Sequence, residues 1–173
     1  MNNYSVVDWK AITASLEDGV DITPDLGRWH LATPGYMEIY KMWNDAKFNK
    51  ASIKWTNFYP GKHFPQELVD DIAVHLQLSG VHRSWISRVD PGYYAPWHWD
   101  VDDNEAEYLK SGPIKRYSIM ISGPTLGHIF MLGDKYIVNS PMGDVVEWSN
   151  YKEWHSGINA GMSPKYMFHI LGY

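Results

Sequence analysis

The sequence predicts an α+β domain. Residues 1–80 form a mainly helical buttress, and residues 81–173 form a β-barrel or jelly roll that packs its helices on one side. Three observations carry this. Apolar residues recur at helical spacing in two stretches before Gly80. Beyond Gly80, short β-rich runs alternate with turns that carry Gly and Pro. Finally, 173 residues with 45% hydrophobic and 20% charged content suit a single domain with a core of its own.

The first stretch, residues 5–16, places Val6, Trp9, Ile12 and Leu16 on one helical face. The run Gly35-Tyr36-Met37-Glu38-Ile39-Tyr40 reads as a short strand. Residues 64–78 read as a helix, with Pro65 in the first turn and Leu68, Ile72 and Leu76 every fourth residue. Seven strands are then expected at 81–89, 97–101, 116–122, 128–132, 136–138, 144–148 and 165–171. The turns between them carry Asp90-Pro91-Gly92, Gly123-Pro124, Gly133-Asp134, Ser140-Pro141 and Gly157. Seven strands in roughly ninety residues favour a closed or sandwiched antiparallel sheet.

Composition narrows the chemistry. No cysteine is present, which excludes disulfides, zinc-thiolate sites, iron–sulfur clusters and thiol nucleophiles. Any transition-metal site must then use imidazole and carboxylate, and the chain has eight His. The formal net charge is −5 and no basic stripe is present, so a nucleic-acid partner is not expected. Neither a signal-peptide pattern nor an apolar run of membrane-spanning length is found, so the expectation is a soluble, cytoplasmic protein without a membrane partner. Nine Trp and twelve Tyr are expected mostly in the core.

One constellation bears on function. In Pro96-Trp97-His98-Trp99-Asp100, strand alternation puts His98 and Asp100 on one side and turns Trp97 and Trp99 into packing. Taken alone, the pair reads more simply as a histidine hydrogen-bonded to a nearby aspartate on a barrel rim. His155, which follows the strand at 144–148, shifts that balance. Two His and one carboxylate bind one face of a metal and leave positions open, the arrangement that suits non-heme Fe(II). Lys165 opens the last strand, and a cation inside a barrel needs an anionic partner. The other histidines carry less. His128 reads as packing or rim, and His169 shares strand parity with Lys165 but reads best as a satisfied core histidine. His30, His63, His75 and His82 read as structural. The acidic cluster of Asp102, Asp103, Glu105 and Glu107 reads as a solvated loop, placed where a lid would lie.

The ordered series resembles the Fe(II)/2-oxoglutarate-dependent dioxygenases of the double-stranded β-helix superfamily, nearest the aspartyl/asparaginyl β-hydroxylase-like and prolyl-hydroxylase-like groups. Ser87-Arg88-Val89-Asp90-Pro91-Gly92 resembles the strand and turn that lead into the first ligand, and His98-Trp99-Asp100 matches His-x-Asp. Gly143-Asp144-Val145-Val146-Glu147-Trp148 resembles the strand before the distal His, and His155, Asn159 and Lys165 stand at comparable offsets. The resemblance covers residues 81–173. It implies a jelly-roll, cupin-like double-stranded β-helix, with metal ligation by His98, Asp100 and His155. It further implies that Lys165 binds the distal carboxylate of 2-oxoglutarate, with Arg116 and Ser87 as further cosubstrate residues. The implied reaction couples decarboxylation of 2-oxoglutarate to succinate with hydroxylation of a peptide or protein residue or a small molecule, using O₂. Two departures are visible: some β-hydroxylases lack the carboxylate that Asp100 supplies, and Lys165 offers a point charge where many relatives have the fork of Arg. The competing expectation is a cupin-like metal- or sugar-binding barrel without dioxygenase activity.

Overall fold

The computed structural model describes residues 7–22, 34–100, 114–148 and 153–173. The acidic cluster after Asp100 and His30 lie outside these. Among the described residues there are three α-helices, α1 (Trp9–Ser15), α2 (Pro34–Asp45) and α3 (Gln66–His75), with ten strands. Two short strands, β1 (Val20–Asp21) and β2 (Thr56–Phe58), precede the eight of the C-terminal part. Those eight are β3 (Val81–Val89), β4 (Tyr94–His98), β5 (Lys115–Met120), β6 (His128–Leu132), β7 (Lys135–Val138), β8 (Val145–Trp148), β9 (His155–Asn159) and β10 (Lys165–Gly172).

The strands form two antiparallel sheets, ordered β1-β2-β3-β10-β5-β8 and β4-β9-β6-β7. From β3 to β10 the chain changes sheet at every step except the β6–β7 hairpin. That crossing pattern is the eight-stranded jelly roll, the double-stranded β-helix. Met120, Trp148 and Met167 of the larger sheet meet Phe130 and Leu132 of the smaller one in a shared core.

Helices α1 and α3 cover the larger sheet from outside. Asp8 caps α1 by accepting from the Ala11 amide at 3.0 Å, and Trp9 drives its apolar face into the sheet. Val69, Ile72 and Ala73 of α3 join it over Ile86, Ile119, Phe168 and Ile170. α3 ends where Gln77 takes a positive φ of 58°. Among the described residues no helix is long and apolar enough to cross a membrane.

Four expectations need correction. Residues 35–40 are helical, part of α2. Pro34 starts the helix, and Tyr36, Ile39, Tyr40 and Trp43 recur at helical spacing, which a six-residue window of β-favouring aromatics conceals. Ile39 and Trp43 bury against Ile53, Trp55, Val89 and Ala95, and Trp43 Nε1 donates to the Trp97 carbonyl at 2.6 Å. The N-terminal part also contributes strands, because β2 pairs with β3 and extends the larger sheet. Residues 155–159, read as leading into a turn at Gly157, form β9, which lies between β4 and β6. Gly157 leaves space instead of turning the chain: a Cβ there would sit 3.3 Å from Lys165 Nζ. Finally, β4 spans Tyr94–His98 and not residues 97–101, so Trp99 is past the strand and the alternation rule does not govern it.

Candidate metal centre

Sheet register brings the two histidines together. His98 ends β4, His155 begins β9, and the two residues are direct cross-strand partners. Their rings lie 4.3 Å apart between centroids. Asp100, two residues beyond His98, places Oδ1 3.8 Å from His155 Nε2. One ligand atom from each of the three lies within 4.8 Å of the other two, so His98, Asp100 and His155 can hold one metal ion.

The hydrogen bonds around the rings fit that role. His98 Nδ1 donates to the Pro96 carbonyl at 2.6 Å, and His155 Nδ1 donates to the Glu153 carbonyl at 3.1 Å. A carbonyl only accepts, so both protons sit on Nδ1 and both Nε2 lone pairs are free to ligate. Burial, with the nearby His155, pushes the His98 pKa down to about 4, so that ring is neutral near pH 7. Burial by itself would raise the Asp100 pKa. The Arg116 guanidinium outweighs it, holding the carboxyl well below the usual range. Two imidazoles and one carboxylate are the donor set of an open, borderline metal site.

The remaining expected residues fall in distinct places. Lys165 is 3% exposed and lines the same cavity as the ligands. Its Nζ donates to the Ile129 carbonyl at 2.8 Å and sits 5.6 Å from the Phe130 ring centre. Among the described residues no carboxylate pairs with it, and burial lowers its pKa to about 7. Ser87 also lines the cavity, with Oγ 2.8 Å from His169 Nε2. Arg116 is buried, but it is not among the cavity-lining residues: its Nη1 donates to Asp100 Oδ2. It orients the carboxylate and leaves Oδ1 toward the metal position.

His169 is both cavity-lining and satisfied, since Ser118 Oγ lies 2.7 Å from its Nδ1. His128 packs inside, with Nε2 donating to the Ser163 carbonyl at 3.0 Å. His63 and His75 contact backbone carbonyls of Asp18 and Asp71, as structural histidines do. Trp99, expected in packing, meets Trp154 edge-on at 4.4 Å and also lines the cavity.

The cavity encloses about 210 Å³. Its wall includes residues that sequence reasoning missed: Trp55, stacked on His98 at 6.0 Å, with Asn57, Tyr59, Arg83 and Trp85. Arg83 and Trp85 share strand parity with Ser87, a signal that was present in the sequence. Nothing local marks Asn57, whose strand lies far from β3 in the chain.

No protein-family model matches this chain, and neither does any curated protein. Similar solved structures include a predicted oxalate decarboxylase from Thermotoga maritima, 13% identical, covering 69% of this chain and 80% of that one with a TM-score of 0.43. A cupin domain from Bordetella pertussis is 10% identical, covering 55% of this chain and 84% of that one with a TM-score of 0.38. The Cnp3 cupin domain from Schizosaccharomyces pombe is 8% identical, covering 68% and 64% with a TM-score of 0.41. At these identities the likeness is one of fold alone.

Proposed function

We propose that the protein is an Fe(II)- and 2-oxoglutarate-dependent dioxygenase, a hydroxylase of a peptide or protein residue or of a small molecule. The supporting observation is the content of one cavity: three convergent side chains able to ligate a metal, and a buried lysine that has no carboxylate partner among the described residues. Bound iron, with 2-oxoglutarate and O₂, would supply the oxidising chemistry, in which decarboxylation to succinate is coupled to hydroxylation of a C–H bond. His98 and His155 present Nε2 and Asp100 presents Oδ1 to the metal. Arg116 holds Asp100 in place. Lys165 receives the distal carboxylate of 2-oxoglutarate, which offsets the lysine's own desolvation. Trp55, Phe130 and Trp148 flank the imidazoles and keep water away from them.

The test is succinate release from 2-oxoglutarate by iron-loaded protein. His98→Ala and His155→Ala are expected to abolish it, whereas Lys165→Ala mainly raises the 2-oxoglutarate concentration required. Native-rate decarboxylation by His98→Ala protein would sink the reading.

A second reading, a cupin-like metal- or sugar-binding barrel without this activity, draws on the aromatic cavity wall, since indole faces stack on sugar rings. Anaerobic addition of Fe(II) and 2-oxoglutarate separates the two. A weak visible charge-transfer band supports the enzyme. No band, together with tight glycan binding, supports the binding barrel.

A further inference from the structure

The cavity has polar groups that neither the metal nor 2-oxoglutarate uses. Asn57 pairs with Ser87 across β2 and β3, so the two side chains share the face turned to the cavity. Asn57 is 7% exposed, and its Oδ1 has no hydrogen-bond partner. A buried acceptor left bare keeps the cost of its lost hydration until a donor meets it. Ionised 2-oxoglutarate carries acceptors only and cannot be that donor.

Arg83 stands on the same face of β3, four residues before Ser87, and lines the cavity at its exposed rim. Its guanidinium rests over the Trp85 ring, 5.0 Å from the centre, and among the described residues no carboxylate pairs with it. Among the described residues Asp100 is the one carboxylate on the wall, and Arg116 engages it. Among the described residues the cavity thus presents two basic side chains, Lys165 and Arg83, toward opposite ends of the β3–β10 pair. At about 3.3 Å per residue, four residues separate the Arg83 and Ser87 levels by roughly 13 Å of strand, part of which the long arginine side chain closes. A ligand meeting both Arg83 and Asn57 carries its acid and its donor group some bonds apart.

We propose that Asn57, Arg83 and Trp85 form the subsite for the primary substrate, and that this substrate is a small organic acid. Its carboxylate pairs with Arg83, an N–H or O–H group donates to Asn57 Oδ1, and an apolar body lies against Trp85. The assignment of this acid as the molecule hydroxylated rests on the dioxygenase reading; the binding preference does not.

The experiment titrates Zn(II)-loaded protein, with and without 2-oxoglutarate, by tryptophan fluorescence and calorimetry. The probes are 4-acetamidobutanoic acid, 6-acetamidohexanoic acid and 4-(acetamidomethyl)benzoic acid, each against its carboxamide and its N-methylated analogue. At least one acid is expected to bind tenfold or more tighter than its amide and than its N-methyl analogue. Arg83→Gln is expected to erase the preference for acid over amide, and Arg83→Lys to restore part of it. Arg83→Gln should leave 2-oxoglutarate affinity within twofold. The proposal is overturned if no acid outperforms its amide, if N-methylation changes nothing, or if Arg83→Gln keeps the preference. It is equally overturned if Arg83→Gln weakens 2-oxoglutarate in place of the probe, because Arg83 then serves the cosubstrate. Should the wild type fail to bind 2-oxoglutarate yet show the Arg83-dependent preference, the dioxygenase reading falls and the subsite stands.

Discussion

Lys165 is held where a charge is costly. Burial lowers its pKa from 10.5 to about 7. Between those values the unfolded chain still binds the proton that the folded chain has released. Stability therefore rises with pH across that window, and the full cost is felt below it. Lys165→Met removes the charge at similar volume. The variant is expected to melt above the wild type at pH 7, by a margin on the order of a few kcal/mol in stability. The margin should narrow as the pH approaches 10. Thermal melts at several pH values check this, and a margin independent of pH would refute it. The same variant should lose 2-oxoglutarate affinity, since the destabilising charge is the one the cosubstrate would meet. Lys165 was legible in the sequence as a charge at a strand start, but its burial, with no carboxylate partner among the described residues, depends on which strands surround it.

Strand β9 organises the site. Lying between β4 and β6, it sets His155 opposite His98 at one end and buries Asn159 at the other. Asn159 Nδ2 donates to the Val89 carbonyl at 2.7 Å and to the Ser163 carbonyl at 2.8 Å, while Oδ1 accepts from the Gly161 amide at 2.9 Å. One side chain thereby ties the end of β3 to the β9–β10 connection. Asn159→Ala strands buried backbone groups and is expected to cost about 2–4 kcal/mol. Urea unfolding checks it: the midpoint should fall while the m value stays unchanged. The elements also show where sequence reading works. β3 and β6 are β-rich runs between clear turns, and their expected bounds match the observed ones. β9 was missed because Gly157 resembles a turn residue in one dimension, whereas it is small to make room for a lysine on another strand. α2 was misread because its helical period needs residues beyond Tyr40 to become visible.

Across the whole molecule, ligation should report as stability. The three candidate ligands come from the end of β4, the segment after it and the start of β9, so an ion bound there would bind the folded state only. Metal at a hundredfold excess over its Kd adds about 2.7 kcal/mol. For a chain of this length that corresponds to a rise in Tm of roughly 5–10 °C. Calorimetry with and without Fe(II) under anaerobic conditions checks it, and a chelator should reverse the shift. His155→Ala should lose the increment while melting close to the metal-free wild type.

The division between chain and fold follows from the range of the forces. Helical and strand periods, turn residues and the absence of thiols are local or compositional, so the α+β jelly roll and its candidate ligands His98, Asp100 and His155 were readable residue by residue. Local pattern carries no information on pairing between distant segments. That β4 lies beside β9 in the register that faces two imidazoles, that Arg116 grips Asp100, and that Asn57 and Arg83 border the same cavity are outcomes of long-range packing. Each depends on burying the faces of both sheets at once, a condition that only the assembled core imposes.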